Sequence, residues 1–175
     1  MGAERVTADE IEHILQLKPL AVEGGLFRQS YRSAATLHDG RPADTGIFAL
    51  YTDEEDSFSA MHRLDADELW HFYLGDALEI LLLRADGSHL TATLGQDLRA
   101  GHLPQLVVTQ GTWMGASLAP GGSYALIGCT MSPGFQSPGY EGGERRQLCE
   151  AYPSDAEAIV ALTRPGFELG HPPEA

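Results

Sequence analysis

His62-Arg-Leu-Asp-Ala-Asp-Glu68-Leu-Trp-His-Phe-Tyr-Leu-Gly75 is the stretch from which the rest of the chain can be read. In an extended strand, residues two apart share a face. Glu68, Trp70 and Phe72 therefore point one way and Leu69, His71 and Tyr73 the other. His62 and Leu64 belong to a preceding strand, with Asp65-Ala66-Asp67 as the corner between the two. A strand–corner–strand unit of this kind aims His62 and Glu68 into one barrel mouth. An imidazole and a carboxylate buried side by side are costly unless they pair, hold a metal or meet a polar ligand.

Outward from this unit the period remains that of strands. Short apolar runs are expected as strands at Leu26–Arg32, Gly46–Tyr51, Ser59–Arg63, Glu68–Tyr73, Leu78–Arg84, His89–Leu94, Gln105–Thr109, Met114–Leu118 and Tyr124–Met131. Gly75-Asp76, Ala85-Asp86-Gly87-Ser88 and Pro120-Gly121-Gly122 supply the turns. Strands every eight to twelve residues with no helix between them indicate an antiparallel sandwich or barrel. Two helices bracket it. Thr7-Ala-Asp-Glu10 is a capping box before Ile11, Ile14, Leu15 and Leu17. Ser154-Asp-Ala-Glu157 reads as a second, opening a helix with Ile159, Val160 and Leu162 on its apolar face and a stop before Pro165. The division expected is an N-terminal helix over 1–18, a barrel over 19–152, a C-terminal helix over 153–165 and a flexible tail over 166–175.

The chain has 175 residues, enough for one well-packed domain, and a formal net charge of −14. So acidic a surface repels phosphate backbones and anionic lipid headgroups, so neither nucleic acid nor a membrane is expected as a partner. No run approaches the ~20 apolar residues of a membrane span. The amino terminus shows no secretory signal, which makes the cytoplasm the expected location. Cys129 and Cys149 form no metal-ligand spacing and are expected as thiols there.

The central stretch resembles the first motif of cupins. His62, Glu68 and Gly75 stand in that motif's His, Glu and Gly places, and Leu64 stands in the place of its second His. Thr109-Gln110-Gly111-Thr112-Trp113-Met114 resembles the second motif, with Thr109 for its Pro and Met114 for its last His. A narrower resemblance spans nearly the whole chain. It rests on Glu23-Gly24-Gly25-Leu26-Phe27-Arg28, Asp67-Glu68-Leu69-Trp70-His71-Phe72-Tyr73, Pro104-Gln105, Gly111-x-Trp113 and Ser132-Pro133-Gly134-Phe135, and it points to the fifth cupin subfamily, long catalogued as a domain of unknown function. The resemblance implies an all-β double-stranded β-helix, the cupin jelly-roll barrel. It also implies structural kinship with sugar-nucleotide epimerases and a homodimer with paired or exchanged edge strands. Exposed strand edges argue for a homodimer as well.

The resemblance further implies a metal held by three His and one Glu, but Leu64 has no donor atom and Met114 offers only a soft thioether. His62 and Glu68 alone would leave an ion with two protein ligands, short of the three or four usual for a catalytic metal. No metal or other cofactor is therefore expected; if a divalent metal binds, His62 and Glu68 are its ligands. His71 and His102 could complete the set only if a bulge turned His71 inward, so His71 is expected on the outer or dimer-facing side.

Without a metal, His62 and Glu68 remain as a catalytic proton-handling pair, since imidazole titrates near neutrality and a carboxylate neighbour holds its tautomer. In the related epimerases a His removes a proton next to a carbonyl and a Tyr returns one. Tyr31, Tyr51, Tyr73, Tyr124 and Tyr140 are all candidates for that second role. Arg28 is the candidate anchor for an anionic or carbonyl-bearing substrate, with a salt bridge to Glu23 or Glu68 as its alternative. Trp70, Phe72 and Trp113 are expected to wall the pocket and Gln105 to offer an amide at its mouth. These residues favour a metal-independent isomerase or epimerase acting on a small carbonyl or sugar-like molecule. The alternatives are a non-catalytic metabolite-binding module and a metal-dependent cupin enzyme with substituted ligands.

Overall fold

The computed structural model describes residues 5–166, 170 and 172. Eleven strands form two antiparallel sheets: β1 (Lys18–Pro19), β2 (Leu26–Arg32), β3 (Thr45–Thr52), β4 (Ser59–Leu64), β5 (Glu68–Gly75), β6 (Leu78–Leu83), β7 (His89–Leu94), β8 (Gln105–Val108), β9 (Trp113–Leu118), β10 (Tyr124–Met131) and β11 (Tyr140–Gly142). One sheet runs β1-β2-β3-β10-β5-β8 and the other β11-β4-β9-β6-β7. All nine expected strands are present to within a residue or two at their ends. The architecture is the mostly-β jelly roll that the sequence resemblance implies.

The inner faces of the two sheets close on a core of Ala49, Leu64, Trp70, Leu78, Ile80, Leu82, Met114, Ala116, Ile127 and their neighbours. The outer faces are covered unevenly. Helix α1 (Ala8–Leu15) packs on the six-stranded sheet through Ile11, against Leu50, Tyr124 and Leu126. Helices α2 (Arg145–Ala151) and α3 (Ala156–Ala161) cover the five-stranded sheet, where Leu148, Ile159 and Leu162 meet Met61, Leu81 and Leu83. This explains β6, whose Leu-Glu-Ile-Leu-Leu-Leu run does not alternate: Leu78, Ile80 and Leu82 face the inner core, and Leu81 and Leu83 face the helices.

The first capping box forms as expected, Thr7 accepting from the Glu10 amide and Glu10 from the Thr7 amide. Ile14 does not join the buried face. It is 68% exposed, because α1 presents Ala8, Ile11 and Leu15 to the sheet. The second capping box does not form. Residues Pro153–Asp155 make a 3-10 turn, Ser154 donates to Asp155 instead, and Val160 points outward. Helix α2 was not anticipated. Its N-cap is Glu144, which accepts from the Arg146 and Gln147 amides in place of the Ser, Thr, Asp or Asn that usually signals a start. The tail expected to be flexible lies outside the described residues except for Gly166, Gly170 and Pro172, of which Pro172 is buried. No helix among the described residues is long and apolar enough to cross a membrane.

Candidate functional site

The corner between β4 and β5 is held from several sides. Arg41, itself buried, forks onto the Asp65 carboxylate at 2.8 and 3.1 Å and donates to the Gly134 carbonyl. Asp67 accepts from the Gln110 amide at 2.7 Å, and the Leu64 carbonyl accepts from the Gly111 amide at 2.9 Å. Both corner acids are thus committed to structure. Beyond them the strands diverge, β4 into one sheet and β5 into the other, so His62 and Glu68 come to line one hollow from different walls.

The hollow is small, with a cavity of about 60 Å³ behind a partly open mouth. Leu20, Phe27, Ile47, Leu64, Met131, Phe135 and Pro172 make it largely apolar, and Glu23, Gln29, Thr45, His62, Glu68, Cys129 and Tyr140 bring polar groups to it. Among the described lining residues there is no lysine or arginine.

His62 is 2% exposed. Its Nδ1–H donates to the Ala60 carbonyl at 2.7 Å. A carbonyl can only accept, so Nδ1 carries a proton in either charge state and Nε2 is the position that exchanges one. The carboxylate nearest to Nε2 is Glu23, at 3.8 Å, rather than Glu68. Glu23 sits on the loop between β1 and β2, its backbone carbonyl held by the Ala60 amide at 2.7 Å. Gly24 and Gly25 follow with φ of +102° and +65°, a left-handed turn that returns the chain into β2. The Oε1 atom of Glu23 that faces His62 also accepts from the Ser59 hydroxyl at 3.0 Å.

Glu68 accepts from the Trp70 indole N–H at 2.7 Å. Burial pushes its carboxyl up to about 7, although the facing His62 works in the opposite direction. Near neutrality Glu68 is therefore divided between acid and carboxylate. Burial also pushes the Cys129 thiol and the Tyr140 phenol well up, so both stay protonated. Tyr140 lies flat on the His62 ring.

Both residues expected as catalytic line the hollow. None of the five expected to bind substrate does. Arg28 alternates with the inward-facing Phe27 and Gln29, so it lies on the outside of the sheet over Phe48. Gln105 is outside too, opposite His71 in the ladder and donating to its Nδ1 at 3.2 Å. Trp113 packs among the residues beneath α2 and α3, with Arg63 over its ring. Trp70 and Phe72 do face inward, but into the core; Trp70 acts from behind by holding Glu68. His71 faces outward and donates to Thr130, because the bulge in the β5–β10 pairing falls beyond it, between the partners of Leu126 and Ile127. Of the five tyrosines, Tyr140 lines the hollow. Glu23 was missed as a site residue. Its signal was the Gly24-Gly25 pair after it, read only as part of a family pattern.

The four-ligand metal set implied by the cupin resemblance does not fit. Leu64 and Met114 occupy two of its places as buried apolar core, and no three His, Cys, Asp or Glu among the described residues are grouped to hold a metal ion.

Two facing antiparallel sheets with an inward-opening hollow between them define the class: this is a cupin barrel. The sequence matches the model of the family Cupin_5, Cupin superfamily (DUF985), over residues 9–142, and the chain belongs to that family. Among solved structures, a protein from Shewanella oneidensis is 36% identical, with a TM-score of 0.84 over 91% of this chain and 99% of that one. A hypothetical protein from Leishmania major is 32% identical, with a TM-score of 0.82 over 90% and 99%. A cupin 2 domain-containing protein from Halorhodospira halophila, 10% identical over 81% and 83% with a TM-score of 0.54, shares the fold alone. No curated protein matches the sequence.

Proposed function

We propose that the hollow binds a small carbonyl or sugar-like molecule and moves a proton on the carbon beside the carbonyl, as a metal-independent isomerase or epimerase. The observation that carries this reading is the state of His62, tied through Nδ1–H to Ala60 with Nε2 left as the exchanging atom. Nε2 takes the proton from carbon. The electron pair of the broken C–H bond moves into the carbon framework, and the carbonyl oxygen gains negative charge. Glu68 in its acid form, or the Tyr140 hydroxyl, donates a hydrogen bond to that oxygen. Return of the proton to the former carbonyl carbon, with the proton of the neighbouring hydroxyl passing to the former carbonyl oxygen, gives an isomer. Loss of the His62 proton to solvent and delivery of a solvent proton to the opposite face of the original carbon gives an epimer. Glu23 steadies the imidazolium formed in between. A positioned base of this kind contributes about 10²–10⁴-fold in rate.

The test is incorporation of solvent deuterium at carbon, followed by NMR across a panel of hydroxyketones and free sugars. Incorporation into at least one compound, lost in His62→Ala, is the expected result; undiminished incorporation in that variant overturns the reading. The largely apolar lining favours a second reading, a binding module without turnover. It would show as thermal stabilisation by a compound that is recovered unchanged.

This reading extends to a cytoplasmic homodimer. Reduced Cys129 and Cys149 suit a reducing compartment. On the outer face of the six-stranded sheet Tyr31, Tyr73 and Val107 are about half exposed, a face suited to a second copy. Light scattering that gives a monomer at micromolar concentration would contradict the dimer.

A further inference from the structure

The charges and surfaces of the hollow constrain its ligand. The ion pair among its described residues, Glu23 facing His62 at 3.8 Å, is internally balanced when the imidazole is charged. Glu68 adds a second carboxyl, and no lysine or arginine among the described lining residues offsets it. Arg28, the guanidinium nearest in sequence to this loop, is turned away by strand alternation onto the outside of the sheet, over Phe48. Arg41, from the neighbouring corner, has its guanidinium taken up by Asp65 and Gly134. A phosphate or carboxylate on the ligand would meet the carboxyls of Glu23 and Glu68, no lysine or arginine among the described lining residues, and a net charge of −14 on the chain around it. Glu23, His62 and Glu68 bring ionisable groups to the hollow, and Leu20, Phe27, Ile47 and Phe135 bring apolar surface.

We infer that the ligand is an uncharged or cationic small molecule, with a hydroxyl or amine donor for the Glu23–His62–Glu68 group and an apolar body, and that phosphorylated, nucleotide-linked and carboxylate compounds are excluded. The inference rests on the reading of this hollow as the functional site, and it divides the substrates that reading would admit. Selection comes from mismatch as much as attraction: an anion would lose its hydration shell and find no fixed positive charge in return.

Two tryptophans in the chain provide the test. The Trp70 indole N–H sits on Glu68 behind the hollow and reports its occupation; the Trp113 indole lies outside the hollow and serves as the internal control. Cyclohexylamine, cyclohexanol and cyclohexanecarboxylate share one apolar ring and differ only in head group. Titrated at neutral pH into ¹⁵N-labelled protein, the amine and the alcohol should shift the Trp70 indole signal and leave that of Trp113 in place. The carboxylate should bind at least about tenfold more weakly than the amine. In Glu23→Gln the amine should weaken by about tenfold with the alcohol nearly unchanged, and Trp113→Phe assigns the two signals. A carboxylate that moves Trp70 as readily as the amine overturns the inference, as does a failure of both amine and alcohol to move it at millimolar concentration. The two ideas fail separately. Charge selection without deuterium incorporation leaves a binding site and removes the chemistry. Deuterium incorporation into a phosphorylated or carboxylate substrate leaves the chemistry and removes this inference.

Discussion

His62 and Tyr140 lie ring against ring, their centroids 5.2 Å apart and their planes inclined by 19°. The contact exists because β11, far along the chain, returns to pair with β4, placing Tyr140 opposite Leu64 and Gly142 opposite His62. One face of the imidazole is thereby closed, and the Nδ1–H bond to Ala60 fixes the rotation that the stack leaves open.

The stack and the carbonyl together should hold the His62 Nδ1–H in slow exchange, visible as a sharp imidazole signal by NMR. Tyr140→Phe keeps the ring and should keep the signal. Tyr140→Leu should broaden it and lower stability by about 1–2 kcal/mol as a buried aromatic contact is lost. An equally sharp signal in Tyr140→Leu would show that Ala60 alone orients the ring.

Glu68 sets a pH dependence whose sign can be worked out. Its carboxyl rises from an ordinary 4.5 to about 7 because it is buried. The folded chain therefore holds this proton more tightly than the unfolded chain. The resulting stability is fully present below 4.5 and is lost as pH climbs through about 7, a swing of about 3 kcal/mol. Glu68→Gln still accepts from Trp70 and does not titrate. Between about pH 5 and about pH 8 the variant should gain about 2 kcal/mol relative to the parent in urea unfolding. Parallel stability profiles would mean that Glu68 is not perturbed.

The Trp70 indole donates to Glu68 and favours its charged form, opposing the effect of burial. Trp70→Phe should push the Glu68 midpoint higher still, read by carboxyl ¹³C chemical shifts. It should also cost about 2–3 kcal/mol through the gap left in the core. An unmoved midpoint would assign the indole to packing alone.

Gly24 carries the placement of Glu23. A Cβ there would lie 2.2 Å from the Phe58 carbonyl oxygen, at a φ of +102° that side chains rarely adopt. Gly87 has a similar φ of +85° with nothing within 4 Å, so it isolates the conformational cost. Gly87→Ala should cost about 1 kcal/mol and Gly24→Ala roughly 2 kcal/mol more, since backbone rather than a flexible side chain must give way. Gly24→Ala should also disturb the His62 imidazole signals, which Gly87→Ala leaves unchanged. Equal costs would show that the loop bearing Glu23 is free to move.

Much of the fold is legible because strand patterning is local. In Glu68-Leu-Trp-His-Phe the alternation assigns each face correctly, including the outward His71, and turn glycines mark where strands end. Short elements without a strong signal are not legible. Neither the three-residue β11 nor α2, with its glutamate cap, can be told from loop before the chain is seen folding back on β4 and on the outer leucines. The site divides in the same way. His62 and Glu68 were recoverable because two strands and a corner are a local unit. Arg28 was expected as the substrate anchor, although the inward Phe27 and Gln29 on either side of it show that its own strand turns it outward.

The order of residues alone determined an antiparallel sandwich or barrel and the inward aim of His62 and Glu68, because each depends on residue chemistry and a period of two within a strand. The jelly roll and the missing donors at Leu64 and Met114 came from the family resemblance. The folded chain decided which carboxylate faces the imidazole, which tyrosine lies against it, and that no arginine reaches the hollow among its described lining. Those outcomes depend on pairings between strands and loops distant in sequence, whose register is settled only when both sheets close on a common core.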